Sequence, residues 1–124
     1  MAEAYMKYFH GDEFNCYSAG LKQGSLNEIV VEAMKLDGID ISKNKSKTVD
    51  IFLESDMVFD YVITVCDESS AERCPYFIGE GRRIHIGFND PAKLNGSYQY
   101  KLKNTLLIRN EIKETIKNIK ARFL

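Results

Sequence analysis

Three thiols and one carboxyl are the groups in this sequence whose placement can do chemistry. Cys66 ends an apolar run, Tyr61 to Val65 (YVITV), and Cys74 follows after the polar segment DESSAER. A loop of that length lets two thiols meet at disulfide distance when oxidised and stand apart when reduced, as an electron relay requires. The acidic residues in it would raise a thiol pKa, whereas Arg73 would lower that of its neighbour Cys74. The same spacing also fits a buried Cys66 and an incidental Cys74. Asp90 precedes Pro91. Proline restrains its predecessor to extended backbone and so fixes where that carboxyl points. A carboxyl held over a bound oxyanion can give a proton to a leaving oxygen. Asp-Pro is equally an ordinary turn pair.

Other candidate groups carry weaker patterns. His10 and His85 could join thiols around a metal, but no close Cys-x-x-Cys pair exists and the histidines are far apart in sequence, so no metal is expected. His85 reads as a strand residue, partly buried, with a satisfied ring nitrogen. Gly79 and Gly81 have no following helix to receive a phosphate and read as a turn, and no cofactor is expected. Lys113, Lys117 and Lys120 read as a solvated helix face.

These groups need a frame. Met1 to Phe9 consists of helix formers that place Met1, Tyr5, Tyr8 and Phe9 on a shared face, with Gly11 as a stop. Phe14 to Ser18 (FNCYS), containing Cys16, is a short strand candidate. Asn27 caps a helix from Glu28 to about Leu36, ended by Gly38. A brief helix is expected near Thr48 to Leu53, capped by Ser46. Val58 to Cys66 holds the best strand, apolar on both faces, as in a parallel sheet covered by helices. Arg83 to Phe88 (RIHIGF) is the next strand. Tyr98 to Phe123 reads as one long helix, with Leu102, Thr105, Leu106, Ile112, Ile116, Ile119 and Phe123 at three- and four-residue steps, closing one face of the sheet. The order is close to an alternating α/β domain. Cys66 then stands at the carboxyl end of a strand, where open parallel sheets bind ligands.

Composition narrows the function classes. A chain of 124 residues is read as one domain, 1–124, and its 44% hydrophobic and 28% charged residues are those of an ordinary globular protein. A net charge of -1 lacks the basic excess of a protein that coats nucleic acid. No apolar run is long enough for a membrane helix, and the acidic residues near Met1 do not suit a signal peptide. A cytoplasmic location is expected. Three cysteines in a reducing compartment point to chemistry or packing, not to structural disulfides.

The segments MAEAYMKYF, YSAGL, EAMKLDGIDIS, DYVITVCD, CP and HIGFNDPAK together resemble the thioredoxin-coupled arsenate reductases built on the low-molecular-weight tyrosine phosphatase fold. The combination of Val65-Cys66-Asp67, Cys74-Pro75 and Gly87-Phe88-Asn89-Asp90-Pro91, in one order, makes the likeness specific. It implies an α/β fold with a parallel sheet flanked by helices. It also implies a cascade. A first Cys captures arsenate, the thiol matching Cys66 attacks that Cys and releases arsenite, and the thiol matching Cys74 resolves the disulfide, which thioredoxin reduces. Asp90 matches the proton donor to the leaving oxygen.

In that family the first strand feeds a loop of Cys, five residues and Arg, which grips the oxyanion. The sequence opens where the family's first helix is already running, so the expectation is an N-terminally incomplete domain whose central strand and nucleophile loop are missing. Such a chain should be poorly stable or associate through exposed edges. Cys16 is followed after five residues by Lys22, which cannot reproduce arginine's bidentate fork. Cys66 reaches Arg73 only across six residues. Three readings therefore stand: an arsenate reductase with further sequence upstream, a non-catalytic remnant or binding module, and a phosphatase of the same fold, which would not need the Cys66 and Cys74 pair.

Overall fold

The structure, a computed structural model, describes residues 1–20, 26–45, 47–65 and 81–124. They fall into two compact units interleaved along the chain, Met1–Ser18, Ser25–Lys45 and Asp90–Leu124 in one, Ala19–Gly24 and Ser46–Asn89 in the other. Among the described residues no helix is long and apolar enough to cross a membrane.

The first unit is helical. Helix α1 spans Ala2–His10 and α2 spans Glu28–Lys35. The Asn27 side chain accepts from the N–H groups of Ile29 and Val30, which satisfies two of the donors a helix start leaves unpaired. Gly38, at φ 80°, ends the following turn in a left-handed conformation that glycine adopts without steric cost. A short 3-10 turn, Pro91–Lys93, leads to α4, Tyr98–Lys117, capped by the Ser97 hydroxyl, and to α5, Ile119–Arg122. Helix α4 packs against α1, α2 and the 3-10 turn. The predicted core face holds at Thr105, Ile112, Ile116 and Ile119, all buried, joined by Ile108 and Thr115.

Side-chain polar groups fasten these helices. The Tyr5 hydroxyl donates to Asp37 Oδ2 at 2.8 Å, and Lys113 Nζ lies 3.0 Å from the same carboxylate. Arg109 donates to the Ala33 carbonyl near the end of α2 at 2.8 Å. His10 bonds the Ile116 carbonyl at 2.8 Å, and because a carbonyl only accepts, Nε2 carries the hydrogen. Two of the three lysines expected on a solvated face are thus engaged: Lys113 with Asp37 and Lys120 with Glu13. Spacing along one helix does not disclose what a neighbouring helix brings opposite it.

Among the described residues the second unit contains helix α3, Asp50–Leu53, and two parallel strands, β1 Tyr61–Thr64 and β2 Arg82–His85. Their register pairs Tyr61 with Arg82, Val62 with Arg83, Ile63 with Ile84 and Thr64 with His85. Gly20 and Thr48 form an isolated parallel bridge. Parallel pairing agrees with the apolar character of β1, but only Thr64 of the strand is fully buried and Tyr61 is exposed. Two short strands leave their outer ends uncovered, so an apolar run overstates burial here.

Besides strands whose ends differ from the sequence reading, three elements depart from it. Phe14 to Ser18 is not a strand: Glu13 and Phe14 N–H groups still donate to the His10 carbonyl, so the chain is leaving α1 there, and ladder bonds begin only at Gly20. The brief helix starts at Asp50, with Val49 as its cap position, and the expected capping residue Ser46 lies outside the described residues. The long C-terminal helix breaks at Asn118 (φ -103°, ψ 12°), whose side-chain amide donates to the Glu114 carbonyl. Such local side-chain bonding competes with helix continuation.

Candidate active site

The geometry that can position a site lies at the carboxyl end of the paired strands. Past the last register pair, Ile86 N–H donates to the Thr64 carbonyl at 2.8 Å and Phe88 N–H to the Val65 carbonyl at 3.3 Å. Pairing therefore runs to Val65 on one strand and Phe88 on the other. Cys66 is the residue after Val65, and Asp90 is two residues after Phe88. Cys66 and Cys74, two of the three predicted site residues, lie outside the described residues, as does Gly79.

Asp90 is described. Its backbone is extended (φ -87°, ψ 117°), as a residue before proline should be, and it caps the Pro91–Lys93 turn by accepting from Ala92 N–H at 2.9 Å through Oδ1. The turn reading of the Asp-Pro pair therefore holds. The turn exists, and it orients an exposed carboxyl by a specific bond, with Oδ2 taking no further hydrogen bond among the described residues.

The third thiol behaves differently. Cys16 is half-buried and free, with Sγ 3.7 Å from the Phe14 carbonyl. Burial pushes its pKa above the ordinary thiol value, and Lys7 opposes this only in part. A thiol kept protonated is a poor nucleophile. This agrees with the absence of an Arg six residues after it.

The two histidines do not converge on a metal site. His10 bonds the Ile116 carbonyl, and His85 Nδ1 lies 2.7 Å from Thr64 Oγ1. Among the described residues no three His, Cys, Asp or Glu side chains gather as ligands. His85 is exposed instead of partly buried, while its ring nitrogen is satisfied as the sequence suggested. Its pairing with Thr64 was not anticipated. The signal that could have found it is the parallel register, which sets the two residues opposite one another.

The sequence matches the family model described as low molecular weight phosphotyrosine protein phosphatase over residues 1–122. It is 41% identical over 117 residues to an arsenate reductase of Bacillus licheniformis, covering 94% of this chain and 82% of the relative. An arsenate reductase of Halalkalibacterium halodurans is 40% identical over the same shares of the two chains. Among solved structures, one described as an arsenate reductase in reduced state superposes with a TM-score of 0.73 at 21% identity, covering 99% of this chain and 87% of that one.

Proposed function

Because the chain belongs to the low molecular weight phosphotyrosine protein phosphatase family, we propose that it works on that fold as an arsenate reductase, reducing arsenate to arsenite through a thiol-disulfide relay. The observation that carries this is the 41% identity to an arsenate reductase along 94% of the chain. The parallel pairing of the two strands, which runs to Val65, the residue before Cys66 in sequence, is consistent with it.

In the proposed relay a first thiol bonds arsenic while Asp90 gives a proton to the departing oxygen. The Cys66 thiolate then attacks the sulfur of that thiol. An S–S bond forms, the S–As bond breaks with its electron pair passing to arsenic, and As(V) leaves as arsenite. Cys74 attacks Cys66, freeing the first thiol, and a dithiol protein of the thioredoxin class reduces the Cys66–Cys74 disulfide. The first thiol is not recognisable within these 124 residues, since no Cys is followed by five residues and Arg. The setting is a cytoplasm whose reducing thiols regenerate the enzyme.

The test is arsenite formation by the protein expressed from its full reading frame, supplied with thioredoxin, thioredoxin reductase and NADPH. Sustained arsenite production that stops after a single round in Cys74→Ser is expected. Hydrolysis of an aryl phosphate that survives Cys74→Ser, without arsenite, would make the protein a phosphatase. No turnover of either compound would make it a non-catalytic relative.

A further inference from the structure

Two steps in the sequence set an Asx side chain before glycine, Asp37-Gly38 and Asn95-Gly96. Glycine, lacking a Cβ, leaves its peptide nitrogen free to reach the side-chain carbonyl carbon of the residue before it. The fold treats the two steps in opposite ways. At the first, Gly38 N–H donates to the Lys35 carbonyl at 2.9 Å, and the Asp37 carboxylate is held by the Tyr5 hydroxyl and the Lys113 ammonium. These bonds occupy the nitrogen and keep the carboxyl ionised, which makes it a poor electrophile. At the second, Asn95 is exposed, and among the described residues neither its side-chain amide nor the Gly96 N–H makes a hydrogen bond. Glycine is nevertheless required there. Gly96 sits at φ 125°, and a Cβ on it would stand 2.9 Å from Cδ1 of the Tyr100 ring.

We propose that Asn95 is a self-modifying site, converted by the Gly96 nitrogen through a succinimide to aspartate and isoaspartate, in the link between the Asp90 turn and α4. The Gly96 nitrogen gives up its proton and bonds Asn95 Cγ. The Cγ–Nδ2 bond breaks, and the amide departs with that proton as ammonia. Water then opens the ring. Attack at Cγ leaves aspartate, and attack at the backbone carbonyl carbon leaves isoaspartate, with the chain running through Cγ. One water is consumed and one ammonia released, and nothing is oxidised or reduced. No hydrogen bond must be surrendered before the ring closes, so folding offers Asn95 no protection. Both products put a carboxylate two residues before the Ser97 cap, where the dipole of α4 favours negative charge. Isoaspartate also lengthens the backbone between the Pro91–Lys93 turn, capped by Asp90, and α4.

The experiment incubates the protein expressed from its full reading frame at neutral pH and physiological temperature, once native and once unfolded in urea. Peptide mapping by mass spectrometry reads the amide-to-acid mass gain at Asn95, and chromatographic separation of the isoaspartyl peptides reads Asp37. Asn95 should convert as fast in the native protein as in urea, and faster than any other asparagine. Asp37 should form isoaspartate in urea and stay intact in the native protein. Asn95→Gln keeps an amide but cannot close the five-membered ring, so the mass gain in that peptide should be lost. An Asn95 that converts in urea and not in the native protein would overturn the proposal. So would a native Asp37 that isomerises as readily as Asn95 converts, or a mass gain that persists in Asn95→Gln. Arsenate is absent throughout, so a failure of arsenate turnover counts against the proposed function and not against this result.

Discussion

Tyr5, Asp37 and Lys113 meet where α1, the turn after α2 and α4 come together, and their ionisation gives the molecule a pH signature. Burial alone would raise the Asp37 pKa, but the bonds from the Tyr5 hydroxyl and the Lys113 ammonium prevail and hold it below the ordinary carboxylate value. A depressed folded pKa contributes stability above the unfolded value of about 3.9 and loses it as pH falls through the folded one. Tyr5 shifts the other way, raised by burial and by Asp37. Its contribution is complete below about pH 10 and is lost as pH rises further. Thermal melts across pH should therefore show Tyr5→Phe lacking the alkaline loss seen in the wild type, and about 1 kcal/mol less stable at neutral pH. Thr105 offers the opposite outcome. Its Oγ1 is buried with no partner among the described residues. Thr105→Val keeps the shape and removes the stranded hydroxyl, so it should stabilise the fold by about 1 kcal/mol, read as a higher melting temperature. Asp90→Asn preserves the cap to Ala92 while removing the proton. Arsenite production by the full-frame protein should fall by about a hundredfold, without loss of melting temperature.

At the scale of elements, the helix signals in the sequence were strong because they are local. Asn27 before an apolar face and Gly38 after it mark α2 to within a residue, since capping bonds and a left-handed turn involve only neighbours. Asn27→Ala should cost about 1 kcal/mol in denaturant melts. Gly38→Ala meets no atom within 4 Å of the added Cβ, so its cost, also about 1 kcal/mol, comes from φ 80° alone. Phe14 to Ser18 misled because five residues of mixed character do not determine their own state. The Glu13 and Phe14 N–H groups still close onto the His10 carbonyl, and the segment joins no ladder among the described residues. The break at Asn118 escaped a reading based on apolar spacing, because Ile116, Ile119 and Phe123 continue the periodic pattern straight through it.

For the molecule as a whole, the local order of residues carried the fold family and the proposed chemistry. Cys66 at a strand end, Cys74 after a polar loop and Asp90 before Pro91 are legible in one dimension, because strand, loop and turn preferences depend on neighbours and the spacing of a relay is counted along the chain. Helix spans followed from the same short-range physics. What only the tertiary structure decided is which distant groups meet: Thr64 with His85 through parallel register, Asp37 with Tyr5 and Lys113, and His10 with the end of α4. Each partnership depends on how separate elements align, and register and helix crossing are set by packing across long sequence separations. The residues that could exchange electrons were therefore visible from the start, whereas the bond between Thr64 and His85 emerged only when two strands were laid side by side.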